Sequence, residues 1–313
     1  MRSALRTVAP ALVAPRYEVI PTASIADKVV TEVPRTVTVT VTASPTKGLE
    51  PSWDLTEQLR AQGFRVVPHL SARLVIDFKH LTDICERLVA LGVNDVFVPA
   101  GDSDPPRGRY DSSLKLLHDL DRLGRPFRDV GITGYPESHP TIPDDVTVQA
   151  MWDKRHYATY VVSNLCFSAP TIRAWAQRLR ARGVTLPLYF GLAGPVEQTK
   201  LLRMATKIGV GESTRTLMKH RSWLLHMGAP GGYDPSRLLR GVASTVGDPH
   251  AGVAGVHVFT FNQLRKTELW RQALLRQFLS PDATPVAPPP PSATAAGSTS
   301  QRPEVAAPPR DLD

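Results

Sequence analysis

The sequence predicts an α/β protein of the (β/α)8 TIM barrel class with a disordered C-terminal tail, and three observations lead to this prediction. Short runs rich in β-branched residues alternate with amphipathic stretches between about residues 16 and 280, which is typical of βα units around a parallel sheet. We count eight such units, and eight strands with crossover helices in this length match a (β/α)8 barrel. The sequence has no GxGxxG or Walker motif, which doubly wound nucleotide-binding sheets usually carry.

The predicted strands are the short runs in which β-branched and aromatic residues dominate. In chain order they are Tyr17–Pro21, Thr36–Thr42, Arg65–Leu70, Asp95–Pro99, Asp129–Tyr135, Thr159–Leu165, Leu186–Leu192 and Gly255–Phe261. The second run, TVTVTVT, alternates so strictly that an antiparallel edge strand is the other interpretation.

The predicted helices are the stretches with apolar residues at intervals of three and four. They are Trp53–Gln62, Leu74–Leu91, Ser113–Leu123, Ala169–Arg182, Glu197–Ile208 and Gln263–Leu279. The stretch from Gly209 to Asp248 is longer than one simple βα unit needs, so additional helix is expected there.

Proline positions and composition set the predicted domain boundaries. Pro10 and Pro15 interrupt the first 15 residues, so residues 1–15 are expected to be disordered and not to form a signal-peptide core. The barrel is expected over residues 16–280. Residues 281–313 are rich in proline and alanine and lack large hydrophobic residues, which predicts a disordered tail. No apolar run is long enough to span a bilayer, and we expect a cytoplasmic protein without a membrane partner.

The net charge favours small anionic ligands. The chain has 37 basic and 29 acidic residues, a formal charge of +8, which by itself is compatible with nucleic-acid binding. However, no basic tract or aromatic RNA-binding motif occurs, and the arginines of Arg173–Arg182 alternate with apolar residues at helical spacing. We therefore expect no nucleic-acid partner, and expect dinucleotides or polycarboxylates instead.

Polar residues collect at the carboxyl ends of the predicted strands, where barrel enzymes place their chemistry. They are Glu18, Thr42, His69, Asp102, Tyr135, Glu137, His139, Asn164 and Asn262. Glu18 lies within an apolar strand, YEVIP, where an isolated buried charge costs several kcal/mol unless it faces a polar cavity or a partner. This pattern predicts an active site at the barrel mouth.

Each of these residues also has a structural interpretation. Glu18 is an ordinary edge-strand carboxylate if the first strand is misplaced, and Asp102 is a common capping residue for a turn. His69 is equally compatible with a hydrogen-bonded core histidine. Glu137 and His139 are compatible with bracing their own loop.

A zinc site is the competing interpretation of the histidines. His69, Glu137 and His139 offer ligands of the types that hydrolytic zinc uses. Barrel metallohydrolases usually carry an HxH pair on the first strand, and the first predicted strand has no histidine. We therefore expect no metal.

Taken in order, these motifs resemble the methylenetetrahydrofolate reductase family of (β/α)8 barrels. GYPESHP, Gly134–Pro140, is similar to the family's GYPEGHP. YEVIP resembles FEFFPP, VPHL resembles APHL, PAGD resembles LRGD, VVSNLCF resembles ITQLFF, and VHVFTFN resembles FHFYTLN. The order and spacing agree from about residue 16 to residue 275, and GYPESHP is the most specific of the motifs.

The resemblance implies an oxidoreductase of one-carbon metabolism and methionine biosynthesis. Members reduce 5,10-methylenetetrahydrofolate to 5-methyltetrahydrofolate with a hydride from NAD(P)H, usually through bound flavin. Glu18 and Asp102 match the catalytic carboxylates: Glu18 helps to protonate the folate as its ring opens, and Asp102 contacts the pterin or the redox ring. The reduced folate and a nicotinamide dinucleotide are the implied small-molecule partners.

The resemblance also implies binding residues around these carboxylates. Asn164, Lys200, Met204 and Phe261 occupy substrate-binding positions, and Asn164 replaces a glutamine of the family. Thr42, His69, Gly101, Tyr135, His139 and Lys154 occupy cofactor-binding positions.

Several departures from the family pattern predict weak or absent FAD binding. Ala100 replaces the arginine that helps to clamp the flavin diphosphate, and the loss of a charged hydrogen bond costs about 1.5–3 kcal/mol. Our hypothesis is direct hydride transfer from NADH or NADPH without bound flavin. Arg107 and Arg109 are an alternative phosphate clamp. A non-catalytic folate- or flavin-binding barrel is the alternative function.

Overall fold

The computed structural model describes residues 2–137, 144–197 and 233–279. Eight parallel strands form one sheet in the order β3-β2-β1-β8-β7-β6-β5-β4. The strands are β1 Arg16–Val19, β2 Thr38–Val41, β3 Arg65–Pro68, β4 Asp95–Phe97, β5 Asp129–Gly134, β6 Tyr160–Ser163, β7 Leu188–Ala193 and β8 Val253–Phe259. Backbone contacts between His69 and Phe97 join β3 to β4 and close the ring. The predicted (β/α)8 barrel is confirmed.

Helices lie between the strands. In the described ranges they are α1 Arg2–Val13, α2 Ile25–Glu32, α3 Glu50–Ala61, α4 Phe78–Ala90, α5 Ser113–Arg122, α6 Asp144–Lys154, α7 Ala169–Ala181, α8 Ser236–Val246 and α9 Leu264–Leu279. Of these, α3, α4, α5, α7 and α9 correspond to predicted helices. Apolar spacing did not indicate α2 or α6, although the family resemblance implies a helix after the fifth strand, over VQAMWDKRHY, which overlaps α6. Helix α8 lies in the stretch where extra helix was expected.

Two predicted elements differ in detail from the structure. The TVTVTVT strand is parallel and lies between β1 and β3, so the antiparallel-edge interpretation is wrong. The single helix predicted over Leu74–Leu91 is a 3-10 turn, Ala72–Leu74, followed by α4. Asp77 separates them because its side chain accepts the His80 N–H and caps α4. The predicted helix Glu197–Ile208 and the tail 281–313 lie outside the described residues, apart from Glu197.

Near the amino ends of the strands, the barrel interior is filled by the buried side chain of Arg16 and the groups that surround it. The Arg16 guanidinium lies between the rings of Tyr160 and Tyr189, at 4.1 and 4.3 Å from their centroids. It also pairs with Asp95 at 3.1 Å. Gly131 makes room for this layer, since a Cβ there would approach the Tyr160 ring within 2.3 Å. Among the described residues, this layer fills the interior near the amino ends of the strands and leaves the space at their carboxyl ends to a cavity.

The N-terminal segment is helical, so the expected disorder of residues 1–15 is wrong for Arg2–Val13. Helix α1 packs on α8 and α9, and Val8 and Leu12 on its inner face are fully buried. The side chain of Arg271 on α9 donates to the Leu12 carbonyl at 2.9 Å. The prediction gave weight to Pro10, which lies inside the helix, whereas tertiary packing of the apolar face stabilises it. In the described part of the chain, no helix has the length and apolar character needed to cross a bilayer.

We expect Leu12→Ala to lower the free energy of unfolding by about 2–5 kcal/mol, because it leaves a cavity under α1. Urea unfolding followed by circular dichroism measures the change. The matched control is Val13→Ala, since Val13 is 48% exposed and its truncation should change stability by less than about 0.5 kcal/mol. Equal effects of the two substitutions would show that α1 does not pack on the barrel as described.

Candidate active site

A cavity of about 550 Å³ opens at the carboxyl ends of the barrel strands. This is within the usual size range of small-molecule sites. Seven of the twelve predicted site residues line it: Glu18, Thr42, His69, Gly101, Asp102, Tyr135 and Asn164. The structure thus brings both predicted catalytic carboxylates to one cavity.

Glu18 points into the barrel because β1 alternates between its two faces. Tyr17 and Val19 are fully buried, and the Tyr17 hydroxyl donates to Glu268 on the surrounding helix α9 at 3.0 Å. Glu18 therefore faces the cavity, where its side chain is 16% exposed. Strand β1 lies between β2 and β8, so the edge-strand interpretation of Glu18 is wrong.

Two buried histidines flank the Glu18 carboxylate. Glu18 Oε2 lies 3.1 Å from His257 Nε2 and 3.8 Å from His69 Nε2. When Glu18 is ionised, it accepts this hydrogen bond from His257 Nε2–H; when Glu18 is protonated, it donates to an unprotonated Nε2. The other ring nitrogen of His257, Nδ1, is buried without a hydrogen-bond partner in the described structure.

His69 is held neutral by its surroundings. Burial lowers the pKa of His69 to about 4, with the Glu18 carboxylate opposing the shift and His257 adding to it. Its ring also packs against Phe97 with centroids 4.8 Å apart. At neutral pH the His69 imidazole therefore carries no positive charge that could pair with Glu18.

Asp102 lies at the rim, in the loop between β4 and α5. It is exposed to solvent and faces Tyr135: burial, followed by the charge of Asp102, raises the pKa of the Tyr135 phenol to about 12. Helix α5 begins at Ser113, so Asp102 does not cap it. Gly101 has a φ of +85°, and a Cβ there would lie 3.0 Å from the Ser71 Cβ. Glycine is therefore required for the turn that presents Asp102.

Asn164 follows β6 and offers amide N–H groups to the cavity. Its side-chain oxygen accepts the Leu165 N–H at 2.8 Å, and its backbone N–H donates to Gly134 at 2.6 Å. The adjacent Cys166 is buried and donates its thiol hydrogen to Glu137 Oε1 at 3.0 Å. These bonds join the loops after β5 and β6 beneath Tyr135, which fixes this side of the cavity.

Two predicted site residues lie away from the cavity wall. Phe261 is buried in an apolar cluster with Leu165 and Phe259, and its φ of 50° turns the chain out of β8. It supports Phe259, which does line the cavity. Lys154 is the last residue of α6, and burial lowers the pKa of its amine to about 8. The described cavity lining does not include it.

Three predicted residues, His139, Lys200 and Met204, lie outside the described residues. In the described ranges, no group of three histidine, cysteine, aspartate or glutamate side chains has a metal-binding arrangement. The two cysteines of the chain are free and buried.

Two titratable residues of the described cavity lining, His257 and Arg73, were missed by sequence reasoning. His257 could have been found from the argument that identified Glu18, because it is a polar residue inside an apolar strand. The alternation of GVHVF places it on the same face as Phe259. Arg73 gave no such signal, because it lies outside the strands, in the 3-10 turn Ala72–Leu74.

We expect the buried His69 to make stability depend on pH. Unfolded chains protonate histidine near pH 6.5, whereas folded His69 does so only near pH 4. The unfolded state therefore binds more protons in this interval, and the free energy of unfolding should fall as the pH decreases from 6.5 to 4, by up to about 3 kcal/mol.

Urea unfolding at several pH values across this interval measures the effect. His69→Gln should flatten the dependence, and His118→Gln, at an exposed position, is the matched control and should keep it. An unchanged slope in His69→Gln would contradict the assignment of a neutral, buried imidazole.

Comparison with known proteins agrees with the motifs. Residues 15–220 match the family described as methylenetetrahydrofolate reductase. Among solved structures, the chain is similar to a protein described as a lyase or mutase from Burkholderia cenocepacia J2315, with 15% identity, a TM-score of 0.47, and coverage of 91% of this chain and 100% of that one. It is also similar to the carboxyl transferase domain of Rhizobium etli pyruvate carboxylase, with 8% identity, a TM-score of 0.46, and coverage of 87% and 48%.

The family match spans more than half of the chain and includes every strand from β1 to β7 together with the cavity residues Glu18, His69, Asp102 and Asn164. The chain belongs to the methylenetetrahydrofolate reductase family.

Proposed function

We propose that the protein reduces 5,10-methylenetetrahydrofolate to 5-methyltetrahydrofolate, with NADH or NADPH as the hydride donor. Family membership supports a folate-related reductase activity in general. The observation that carries the specific proposal is the position of Glu18, an inward-facing carboxylate hydrogen-bonded to His257 in a cavity of about 550 Å³. This arrangement can hold and move a proton next to a bound ligand.

In the proposed reaction Glu18 acts in opening the imidazolidine ring of the folate. Opening breaks the bond between the methylene carbon and N10. The protonated Glu18 carboxyl group gives its proton to N10 and becomes a carboxylate, and the methylene carbon becomes part of an N5 iminium. A positioned acid contributes typically 10²- to 10⁴-fold to the rate of such a step. His257 holds the Glu18 carboxyl group at 3.1 Å, which supports its role as the positioned group.

The iminium is the hydride acceptor, and its positive charge suits this cavity. Glu18 and Asp102 are the two carboxylates among the described lining residues, and preorganised negative charge stabilises a cation that develops during reaction. The free amide N–H groups of Asn164 are suited to the oxygen and nitrogen acceptors of a pterin. Hydride transfer to the methylene carbon then gives the methyl group, and the donor leaves as the oxidised dinucleotide.

Two positions that the resemblance assigns to flavin binding offer no charge to the described cavity. Ala100, at the family's clamp position, offers no charge to a flavin diphosphate, and Lys154 does not line the cavity. Arg109, one candidate replacement, pairs instead with the buried Asp119 at 3.0 Å. These observations support direct hydride transfer, for which a dihydronicotinamide is chemically sufficient when it lies in near-attack contact with the iminium.

We expect Glu18→Gln to lower kcat by about 10²- to 10⁴-fold, because the amide cannot donate the proton that ring opening requires. Its binding of methylenetetrahydrofolate should be largely retained, since the amide oxygen still accepts from His257. Steady-state kinetics and equilibrium dialysis measure the two properties. The matched control is Glu50→Gln, at a 68% exposed position paired with Arg87, which should keep wild-type kinetics. Wild-type turnover by Glu18→Gln would remove Glu18 from the mechanism.

The proposed reaction and its flavin independence can be tested in one assay. We expect the purified protein to oxidise NADH or NADPH anaerobically only when methylenetetrahydrofolate is present, at a rate that added FAD does not change. Its visible spectrum should lack a stoichiometric flavin band. Turnover that depends on FAD would reject direct transfer but keep the reductase. Folate binding without any turnover would favour a non-catalytic carrier.

A further inference from the structure

Arg73 is a cation of the cavity wall that pairs with no acidic side chain in the part of the chain that the structure describes. It lies in the 3-10 turn after β3 and is half-buried. Its Nε donates to the Asp111 carbonyl at 2.9 Å, and Nη1 donates to the Ser103 carbonyl at 3.4 Å. No described carboxylate forms an ion pair with it. A guanidinium has five N–H donors, so three remain for a ligand.

Arg73 lies directly beside the position that the family uses for its phosphate clamp. The Arg73 N–H donates to the Ala100 carbonyl at 2.9 Å, and the Ala72 N–H donates to the Pro99 carbonyl at 3.0 Å. The Arg107 N–H donates in turn to the Arg73 carbonyl at 2.8 Å. The loops after β3 and β4 are thus held together. Both Arg73 and Ala100 line the cavity. The Arg73 guanidinium therefore lies next to the position at which the family carries its clamp arginine.

The other arginines of this rim are engaged elsewhere. Arg107 is exposed and donates to the Pro45 carbonyl at 2.9 Å. Arg109 pairs with Asp119. Among the described lining residues, Arg73 is the one arginine or lysine.

We propose that Arg73 binds the diphosphate of the nicotinamide dinucleotide and thereby orients the hydride donor. This inference rests on the proposed function and assigns its second substrate to one side of the cavity. Arginine binds phosphate oxygens through two parallel hydrogen bonds. In this orientation the diphosphate lies at the rim beside Ala100 and Ser103, whose carbonyls Arg73 contacts. The nicotinamide, which becomes cationic on oxidation, then extends towards Glu18 inside the cavity.

The test compares dinucleotide binding and turnover in full-length variants. We expect Arg73→Gln to raise both the Kd for NADH, measured by NADH fluorescence without folate, and its KM by about 10- to 150-fold. The kcat should change little. The Kd and KM of Arg73→Lys for NADH should lie between those of wild type and Arg73→Gln, because an ammonium keeps the charge but loses the paired hydrogen-bond geometry. Dihydronicotinamide riboside, which has no phosphate, should react equally well with wild type and Arg73→Gln.

The matched control is Arg60→Gln, because Arg60 is also half-buried and donates to two backbone carbonyls, those of Leu91 and Phe64. It lies outside the cavity lining, so this variant should bind NADH as wild type does. Thermal melting of each variant separates a loss of folding from a loss of binding, and Arg73→Lys retains the test where Arg73→Gln is unstable.

Three results would distinguish the proposed diphosphate site at Arg73 from the proposed reductase activity. An unchanged Kd for NADH in both Arg73 variants would overturn the diphosphate assignment. Weaker binding of a polyglutamyl folate but not of NADH would also overturn it, since the bound anion would then be the folate tail. Absence of turnover in wild type, combined with weaker NADH binding in Arg73→Gln, would refute the reductase proposal while supporting the diphosphate site.

Discussion

The geometry of the site depends on keeping one carboxylate ionisable inside the mouth of a closed barrel. Glu18 can face inward only because β1 pairs in fixed register with β2 and β8, with Glu18 opposite Thr40 and Phe259. A shift of one residue would turn Glu18 towards the helices and Tyr17 into the cavity. The same register places His257 within hydrogen-bond distance of the Glu18 carboxylate. The pairing of the strands therefore also assembles the site. Closure between β3 and β4 then places His69 on the far side of Glu18.

The barrel interior separates two kinds of charge along its axis. In the lower layer, Arg16 and Asp95 neutralise each other and the ring faces of Tyr160 and Tyr189 cover the cation. In the upper layer, Glu18 has only imidazole neighbours, and His69 is neutral above pH 4. The lower charges therefore neutralise each other within the protein. No described lysine or arginine pairs with Glu18, which is the pattern expected of a carboxylate that acts on a ligand rather than one that stabilises the barrel.

The sequence predicts the barrel well because its signals are local and repeated. Each strand is a short β-branched run, and the polar residues that end these runs need only parallel strands to converge. The predictions that failed concern features that depend on contacts between distant segments of the chain. The packing of Leu12 under α8 and α9 outweighs Pro10. The alternation of β8 marks His257 as inward-facing, but only the pairing of β8 with β1 brings it to Glu18. Phe261 illustrates the converse: its motif position resembles a ligand contact, but its positive φ turns it behind the wall, where it packs with Leu165.

The loops after β3 and β4 form one rim of the cavity, because backbone hydrogen bonds through Ala72, Arg73 and Arg107 hold them together. Under the proposed assignment, Arg73 on this rim would hold the diphosphate of the hydride donor, whereas Glu18 on β1 and His257 on β8 would serve the opening of the folate ring. The two tasks would then fall on different strands of one barrel. Donor binding and ring opening could therefore be altered separately, because no hydrogen bond among the described residues links Arg73 to Glu18 or His257.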